Sequence, residues 1–170
     1  SAEWEEAEEF PRELYRAAAE AGVLGVGYPE AVGGAGGDLT HLLVAADEMV
    51  ISGRSVGTAV GLGSHGIALP PIVRFGTDEQ KARWAVPILR ADMTAAPGYS
   101  EPNAGSDAVS IQTSARREGD HYIVSGRKTF ITNGGHADTL VVVAVAVREG
   151  DDPGHDVLAQ QDIDLDPSGR

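Results

Sequence analysis

The spacing of apolar residues changes once along the chain, near residue 90, and this change divides the fold into two parts. Before it, apolar residues recur at helical intervals, and from Tyr99 onward they alternate as they do in strands. The sequence therefore predicts an α+β protein, in which an N-terminal α-helical bundle over residues 1–95 precedes an antiparallel β-domain over residues 96–170. We expect the loops between the two parts to line a cleft.

Two amphipathic helices are predicted before residue 54. The first stops at Gly22, and the second begins at the N-cap Asp38 and ends before Gly53. Stripes of apolar residues face the core in helices of this kind, and here they are Phe10, Leu14, Ala17, Ala18 and Ala21, then Leu39, Leu42, Leu43, Ala46, Met49 and Val50. The segment Gly33–Gly37 carries no Gly-Lys-Ser/Thr, so it is predicted to be an interhelix turn and not a phosphate loop.

Capping residues and prolines set the limits of the next two helices. Ser55 caps a third helix that runs toward Leu69, where Pro70-Pro71 is expected to interrupt it. The segment Thr77–Gln80 has the form of a capping box and opens a fourth helix. Pro87 should end or kink that helix.

Strands are predicted throughout the second part. Ile111–Ala115 and His121–Val124 alternate in polarity on either side of a hairpin turn at Glu118–Asp120. Asn133-Gly134 is a second turn signal. In Leu140–Val147 the residues that would point to either face of a strand are all apolar, which predicts one strand buried on two faces. This aliphatic run is too short to cross a bilayer.

The loop Tyr99–Asp107 combines a hydroxyl, a proline turn and the sequence Asn-Ala-Gly-Ser-Asp. Pro102 fixes its own backbone and Gly105 permits conformations that other residues resist. The neighbouring turn formers can leave successive backbone N–H groups pointing outward as an anion-binding concavity, which would suit a phosphate. Taken alone, the loop is more often a surface turn between a helix and a strand.

A second motif, Gly126–Gly135, reads Gly-Arg-Lys-Thr-Phe-Ile-Thr-Asn-Gly-Gly. Together with Tyr99–Asp107 and the upstream turn Tyr28–Gly37, it resembles the acyl-CoA dehydrogenase family. In that family a T/S-E-P-x-A-G-S-D loop precedes a G-x-K-x-W/F-I-T-N-G-G strand and turn. The resemblance runs from about Ala21 to Val147 and implies that family's fold, whose C-terminal helical domain we expect to be missing here. Arg127 and Lys128 could steer an anionic CoA, but basic pairs on strands are more often solvated, so both side chains are expected to be exposed.

The resemblance implies FAD as the cofactor and assigns residues to it. Ser100 takes the place of the Thr or Ser at the flavin pyrimidine end, and Thr132 that of the Thr near N5. Phe130 stands where many family members carry Trp, against the flavin ring. Ser106 matches a position that approaches both the cofactor phosphates and the CoA part of the substrate. The complete set of expected cofactor-binding residues is Tyr99, Ser100, Gly105, Ser106, Phe130, Ile131 and Thr132.

The implied reaction is oxidation of an acyl-CoA thioester to the trans-2-enoyl-CoA, with an electron-transfer flavoprotein or a similar acceptor as partner. Because the family's catalytic carboxylate comes from the C-terminal domain, no catalytic base is assigned. A related acyl-CoA oxidase, a flavin monooxygenase of the same fold, and a non-catalytic or truncated binding module remain alternatives. The resemblance also implies a homo-oligomer, either a dimer or a tetramer.

Composition excludes several other classes. The net charge is −13, and 14 of the 26 acidic residues lie in the terminal segments Ser1–Glu20 and Arg148–Arg170. Nucleic acid is therefore not an expected partner. Absence of cysteine excludes disulfides and thiolate sites. The five histidines show no i,i+4 pair, so no metal site is predicted, and without Gly-x-Ser-x-Gly no hydrolase nucleophile is visible. No signal peptide is recognised, and a cytoplasmic protein without membrane insertion is expected.

Overall fold

The computed structural model describes Trp4, Glu6 and residues 11–147. The chain divides into two compact units, Ser1–Ala95 and Ala96–Arg170. The first unit is helical and the second contains the strands, which confirms the predicted α+β class. The stripe residue Phe10 and the acidic segment after residue 147 lie outside the described residues.

The first unit consists of helices joined by short 3-10 turns at Val23–Gly25 and Glu30–Val32. A helical run then closes the unit, and it contains a π-helical turn at Lys81–Ala85. The α-helices are α1 (Arg12–Glu20), α2 (Leu39–Gly53), α3 (Val56–Leu62), α4 (His65–Phe75), α5 (Asp78–Gln80) and α6 (Val86–Leu89).

Side-chain caps begin the helices where the sequence predicts them. The Asp38 carboxylate accepts hydrogen bonds from the backbone N–H groups of Thr40 at 3.0 Å and His41 at 3.3 Å. The Ser55 hydroxyl accepts the N–H of Thr58 at 3.2 Å. At the start of α5, the Gln80 N–H donates to the Thr77 hydroxyl, completing the predicted capping box. These caps satisfy N–H groups that have no partner within their own helices.

The two prolines predicted to interrupt the third helix lie inside α4. The interruption falls earlier, at a turn in which Ser64 N–H donates to the Gly61 carbonyl at 3.2 Å. Leu69 and Ile72 are fully buried on one face of α4. Since burying such side chains contributes about 1.5–3 kcal/mol each, packing offsets the backbone hydrogen bonds that Pro70-Pro71 cannot make.

Pro87 also fails to end its helix, which continues to Leu89. The residues just before Pro87 form the π-helical turn Lys81–Ala85. A π-helical turn displaces the backbone from its ordinary i to i−4 pairing, which is the pairing a proline would break. Of the two outcomes predicted at Pro87, an end to the helix was therefore wrong, and the regular helix is instead interrupted by the π-helical turn just before it.

The apolar stripe of α2 does not enter the core. No residue of α2 is buried, and Leu39 is 69% exposed. Five of the stripe's six residues, all except Leu43, instead line an apolar groove of about 780 Å³ together with residues from α3 and α4. A stripe that faces a groove has the same sequence period as one that faces a core, so the sequence alone did not separate the two.

The glycine-rich segment Gly33–Gly37 forms the predicted interhelix turn. The Gly27 N–H donates to the Gly36 carbonyl at 2.8 Å, and Gly33, Gly36 and Gly37 all have positive φ. A β-carbon at Gly34 would lie 2.2 Å from the Tyr28 carbonyl oxygen. Close approach and left-handed conformation therefore account for glycine at these positions.

The run of residues 56–75 has the length and composition of a membrane-spanning helix. It folds as two helices, α3 and α4, separated by the turn at Gly63 and Ser64. Helices in a protein core can have the same length and apolar composition as membrane-spanning helices. Leu69 and Ile72 of α4 are fully buried, as the side chains of a core helix are.

The second unit contains two small sheets. In the first, β1 pairs with β4, and in the second the order is β3-β2-β5. Strands β2 and β3 are antiparallel, with Ala115 opposite Val124, and Gly119 turns the hairpin with a φ of 64°. The strands are β1 (Ala95–Gly98), β2 (Ser114–Glu118), β3 (His121–Ser125), β4 (Thr139–Val142) and β5 (Val145–Val147).

The segment Leu140–Val147 is two strands in different sheets and not one. Val143 N–H donates to the Gly98 carbonyl at 3.1 Å, and Val145 N–H donates to the Thr113 carbonyl at 2.7 Å, so the chain changes partners between these residues. Strand β5 then runs parallel to β2, which adds a parallel pair to the predicted antiparallel domain. The prediction of burial is confirmed for residues 140–144.

Candidate functional site

The two motifs found in the sequence are hydrogen-bonded directly to each other in the second unit. Thr129 N–H donates to the Ser100 carbonyl at 2.9 Å. The Lys128 ammonium donates to the Tyr99 carbonyl at 3.0 Å and to the Glu101 carboxylate at 2.8 Å. Two consecutive residues of the second motif thus hold three consecutive residues of the first.

The Glu101 carboxylate joins three segments of the unit. Besides Lys128, it accepts the backbone N–H groups of Gln112 at 2.8 Å and Thr113 at 2.9 Å, and the Thr113 hydroxyl at 2.5 Å. These bonds also explain why β2 begins at Ser114 and not at Ile111 as predicted, since the two preceding N–H groups are committed to the carboxylate.

The Glu101 and Lys128 side chains form a buried ion pair, with exposed fractions of 5% and 7%. The expectation that Lys128 is solvated was therefore wrong, whereas Arg127 is exposed. Sequence reasoning missed this pair, although opposite charges in two linked motifs offered a signal for it.

Burial alone would raise the pKa of Glu101. The hydrogen bonds from Lys128, Thr113 and the backbone of Gln112 outweigh burial and lower the pKa to about 2. The carboxylate is therefore ionised at neutral pH and surrounded by donors. A general base must reach a proton on its substrate, so Glu101 is a structural group.

The expected cofactor-binding residues lie on the surface or at its edge. Phe130 is 93% exposed and has a φ of 54°, an unusual conformation for an aromatic residue. Gly105, Ser106, Thr132 and Tyr99 are exposed, and Ser100 and Ile131 are half-buried. Within the described residues, no acceptor lies on the backbone N–H groups of Gly105 and Ser106.

The second motif is irregular and not the strand that the resemblance implies. Its residues 126–129 form no ladder, and Thr129 N–H is used by Ser100 instead. The Asn133-Gly134 turn is confirmed, with Gly134 N–H donating to the Ile131 carbonyl at 3.0 Å. The strand prediction failed because the segment pairs with a loop rather than with another strand.

The other carboxylate of the first motif also has a local partner. Asp107 accepts the Ser110 hydroxyl at 2.5 Å within the 3-10 turn Ala108–Ser110. Across Trp4, Glu6 and residues 11–147, no group of three or more His, Asp or Glu side chains could hold a metal ion.

The motifs and fold match known proteins. Residues 1–92 match the N-terminal domain of acyl-CoA dehydrogenase, and residues 96–164 match its middle domain. The chain belongs to the acyl-CoA dehydrogenase family. It is 40% identical over 150 residues to the short-chain specific acyl-CoA dehydrogenase of Clostridium acetobutylicum, and the match covers 87% of this chain and 39% of that protein.

Two solved structures of acyl-CoA dehydrogenases share the fold. One, a probable acyl-CoA dehydrogenase from Mycobacterium abscessus, superposes with a TM-score of 0.83 at 43% identity, covering 86% of this chain and 39% of the other. An acyl-CoA dehydrogenase complexed with FAD from Bacillus anthracis superposes with a TM-score of 0.72 at 36% identity, covering 79% and 24%. The chain thus spans about two fifths or less of the length of these relatives.

Proposed function

We propose that the protein containing this chain oxidises an acyl-CoA thioester to its trans-2-enoyl-CoA with FAD as cofactor. The observation that carries the proposal is the direct bonding of the two family motifs, through Lys128 and Thr129, in a chain that belongs to this family. FAD in a solved relative supports the choice of cofactor.

The exposed residues of the two motifs fit a flavin nucleotide. Gly105 and Ser106 offer N–H groups to a phosphate, and a β-carbon at Gly105 would meet nothing within 4 Å, so the backbone there is open to approach. Phe130 offers an exposed aromatic face to an isoalloxazine ring. Stacking on a ligand ring would bury this exposed apolar face, which is favourable.

When bound, FAD supplies the acceptor for the hydride that leaves the β-carbon. In this proposal the Ser100 hydroxyl donates at the pyrimidine end, the Thr132 hydroxyl donates near N5, and the Tyr99 backbone and Ile131 line the ring. Neutral donors stabilise the charge that reduction places on the ring without a proton transfer. Ser106 also contacts the CoA part of the substrate.

The remaining parts of the reaction are assigned to groups outside the described residues. The α-proton passes to a carboxylate base, which we place outside the described residues because Glu101 and Asp107 hold structural partners. The two electrons pass on to an electron-transfer flavoprotein or a similar acceptor. We further propose a homo-oligomeric, cytoplasmic protein.

The second candidate is a binding module without turnover, and the same two observations favour it. Glu101 is buried among four donors and Asp107 accepts from Ser110, so neither nearby carboxylate is available as the base. Such a module would bind FAD or acyl-CoA and oxidise nothing.

Purification of the full-length protein tests both candidates. We expect a yellow protein with FAD bound noncovalently in about one copy per chain, and acyl-CoA oxidation with an artificial electron acceptor. Colourless, folded protein that ignores added FAD would contradict the cofactor assignment, and a yellow protein inert toward acyl-CoAs of every length would support the second candidate.

Two phenylalanine variants provide a matched comparison. Phe130→Ala should weaken FAD binding because it removes the aromatic face. Phe75→Ala removes another exposed phenylalanine outside the motifs, 66% exposed at the end of α4, and should leave the FAD dissociation constant unchanged. Equal FAD affinity in both variants would remove Phe130 from the site.

A further inference from the structure

The buried Lys128 ammonium contacts two acceptors on the first motif. It donates at 3.0 Å to the Tyr99 carbonyl and at 2.8 Å to the Glu101 carboxylate, and its side chain is 7% exposed. A lysine is almost never this buried unless it is paired. The ion pair with Glu101 accounts for its charge, but the bond to the Tyr99 backbone calls for a further explanation.

A carbonyl fixed in direction also fixes the next N–H, because the peptide unit is planar. The bond from Lys128 to the Tyr99 carbonyl therefore sets the direction of the Ser100 N–H. The neighbouring peptide is held as well, with Thr129 N–H on the Ser100 carbonyl and Glu101 N–H on the Ala104 carbonyl at 2.8 Å. No acceptor for the Ser100 N–H lies among residues 11–147.

We propose that Lys128 and Glu101 are positioning residues, which orient the Tyr99–Ser100 peptide so that its N–H group and the Ser100 hydroxyl face the flavin. This inference rests on the proposed function. Glu101 holds Lys128 in place through the ion pair, and Thr113 and Gln112 hold Glu101 in turn. The flavin would then meet donors that are already oriented before it binds.

Neutral substitution of Lys128 has two separable consequences. It leaves Glu101 buried without a counterion, which destabilises the fold. It also frees the Tyr99 carbonyl to rotate, which disorders the Ser100 N–H. The double variant Lys128→Met with Glu101→Gln removes both charges and so relieves the first consequence but not the second.

The experiment compares Lys128→Met, Glu101→Gln and the double variant with wild-type full-length protein. Arg127→Met is the matched control, because Arg127 is the adjacent, exposed cation. The measurements are the FAD dissociation constant, the midpoint potential of the bound flavin, its visible spectrum, and urea unfolding of the apoprotein.

We expect Lys128→Met to weaken FAD binding by about tenfold, the loss of one or two net hydrogen bonds, and to shift the midpoint potential and the spectrum. The apoprotein of the double variant should be more stable to urea than that of Lys128→Met and close to wild type. The midpoint potential of its bound flavin should remain shifted from the wild-type value. Arg127→Met should match wild type in all four measurements.

A double variant that regains both stability and the wild-type potential would overturn the proposal and leave the pair a purely structural role. If neither neutral variant folds, Lys128→Arg decides, since it keeps the charge but places its donors differently, and an unchanged potential in that variant would overturn the proposal. Wild-type protein that binds no FAD would contradict the proposed function. Wild-type protein that binds FAD, with variants that match it in FAD affinity, potential and spectrum, would instead overturn this inference alone.

Discussion

Gly126 lies so close to Thr113 that a β-carbon on the glycine would stand 2.3 Å from the threonine hydroxyl oxygen and 2.6 Å from its Cα. The same hydroxyl donates to Glu101. Absence of a side chain at the first residue of the second motif is therefore what lets the motif pass beside the Glu101 hydrogen bonds.

Gly126→Ala should destabilise the second unit by about 1–3 kcal/mol, because the new methyl group overlaps backbone as well as a side chain. Gly105→Ala is the control, since a β-carbon there meets nothing within 4 Å, and its effect should stay within about 0.5 kcal/mol. Urea unfolding measures both changes, and equal stability of the two variants would contradict the close packing at Gly126.

The lowered pKa of Glu101 predicts a pH dependence of stability. The folded pKa is about 2 against an ordinary value of 4.5, so the folded state favours the ionised carboxylate. Its contribution to the free energy of unfolding is fully present above pH 4.5 and is lost as the pH falls toward 2. Urea unfolding from pH 6 to 2 should show this loss in the wild-type protein.

Glu101→Gln isolates this group, because its amide does not titrate. Asp38 and Asp120 also have lowered pKa values, through hydrogen bonds with His41 and His121, and they contribute equally to both proteins. The stability difference between wild type and variant should therefore shrink as the pH falls from 4.5 toward 2. A difference that stays constant over this range would show that Glu101 titrates normally.

The hydroxyls of Thr132 and Ser100 should act on the reduced flavin. Thr132→Val keeps the β-branched shape and removes the donor. The stabilisation of the reduced flavin should therefore fall by about 0.5–1.5 kcal/mol, the contribution of one hydrogen bond, and flavin reduction should be slower. Ser100→Ala should act similarly at the other end of the ring. Midpoint potentials and stopped-flow reduction rates measure both, with Thr132→Ser as the variant that keeps the hydroxyl. Unchanged values in Thr132→Val and Ser100→Ala would leave these hydroxyls a structural role only.

The 170-residue chain by itself should associate and should oxidise no acyl-CoA, even with excess FAD. Helix α2 has no buried residue, and Leu39, Leu43 and Ile51 are more than half exposed. Exposed apolar patches of this kind promote association. Neither Glu101 nor Asp107 is available as the base, whose absence alone costs about 10²–10⁴-fold. Analytical ultracentrifugation and a dye-linked assay test this prediction, and a monomeric, active chain would contradict it.

The sequence predicted the starts of three helices correctly because the signals for them are local. Asp38, Ser55 and Thr77 cap the helices through bonds that span two or three residues. A capping residue and its partner are close in the chain, so a pattern in sequence is enough to recognise them.

The predictions that failed depend on distant partners. Lys128 pairs with a carboxylate 27 residues away, and the segment Leu140–Val147 divides because Val143 and Val145 find partners in different parts of the unit. The apolar stripe of α2 has the period of a core helix, yet it lines a groove. Periodicity reports that a side chain is apolar, and it does not report what that side chain contacts.

The pairing of strands sets an order in which the second unit can form during synthesis. Strand β1 pairs with β4, which is synthesised more than 40 residues later. Strand β2 pairs in parallel with β5, the last of the described strands, where Ser114 lies opposite Val145. The hairpin of β2 and β3 can close as soon as residue 125 has left the ribosome, but the β1–β4 sheet stays incomplete until Val142 has followed, and the β3-β2-β5 sheet until Val147 has followed. A nascent chain stalled before residue 139 would therefore expose the apolar side of β1 and the open edge of β2, as a substrate for chaperones rather than a folded unit.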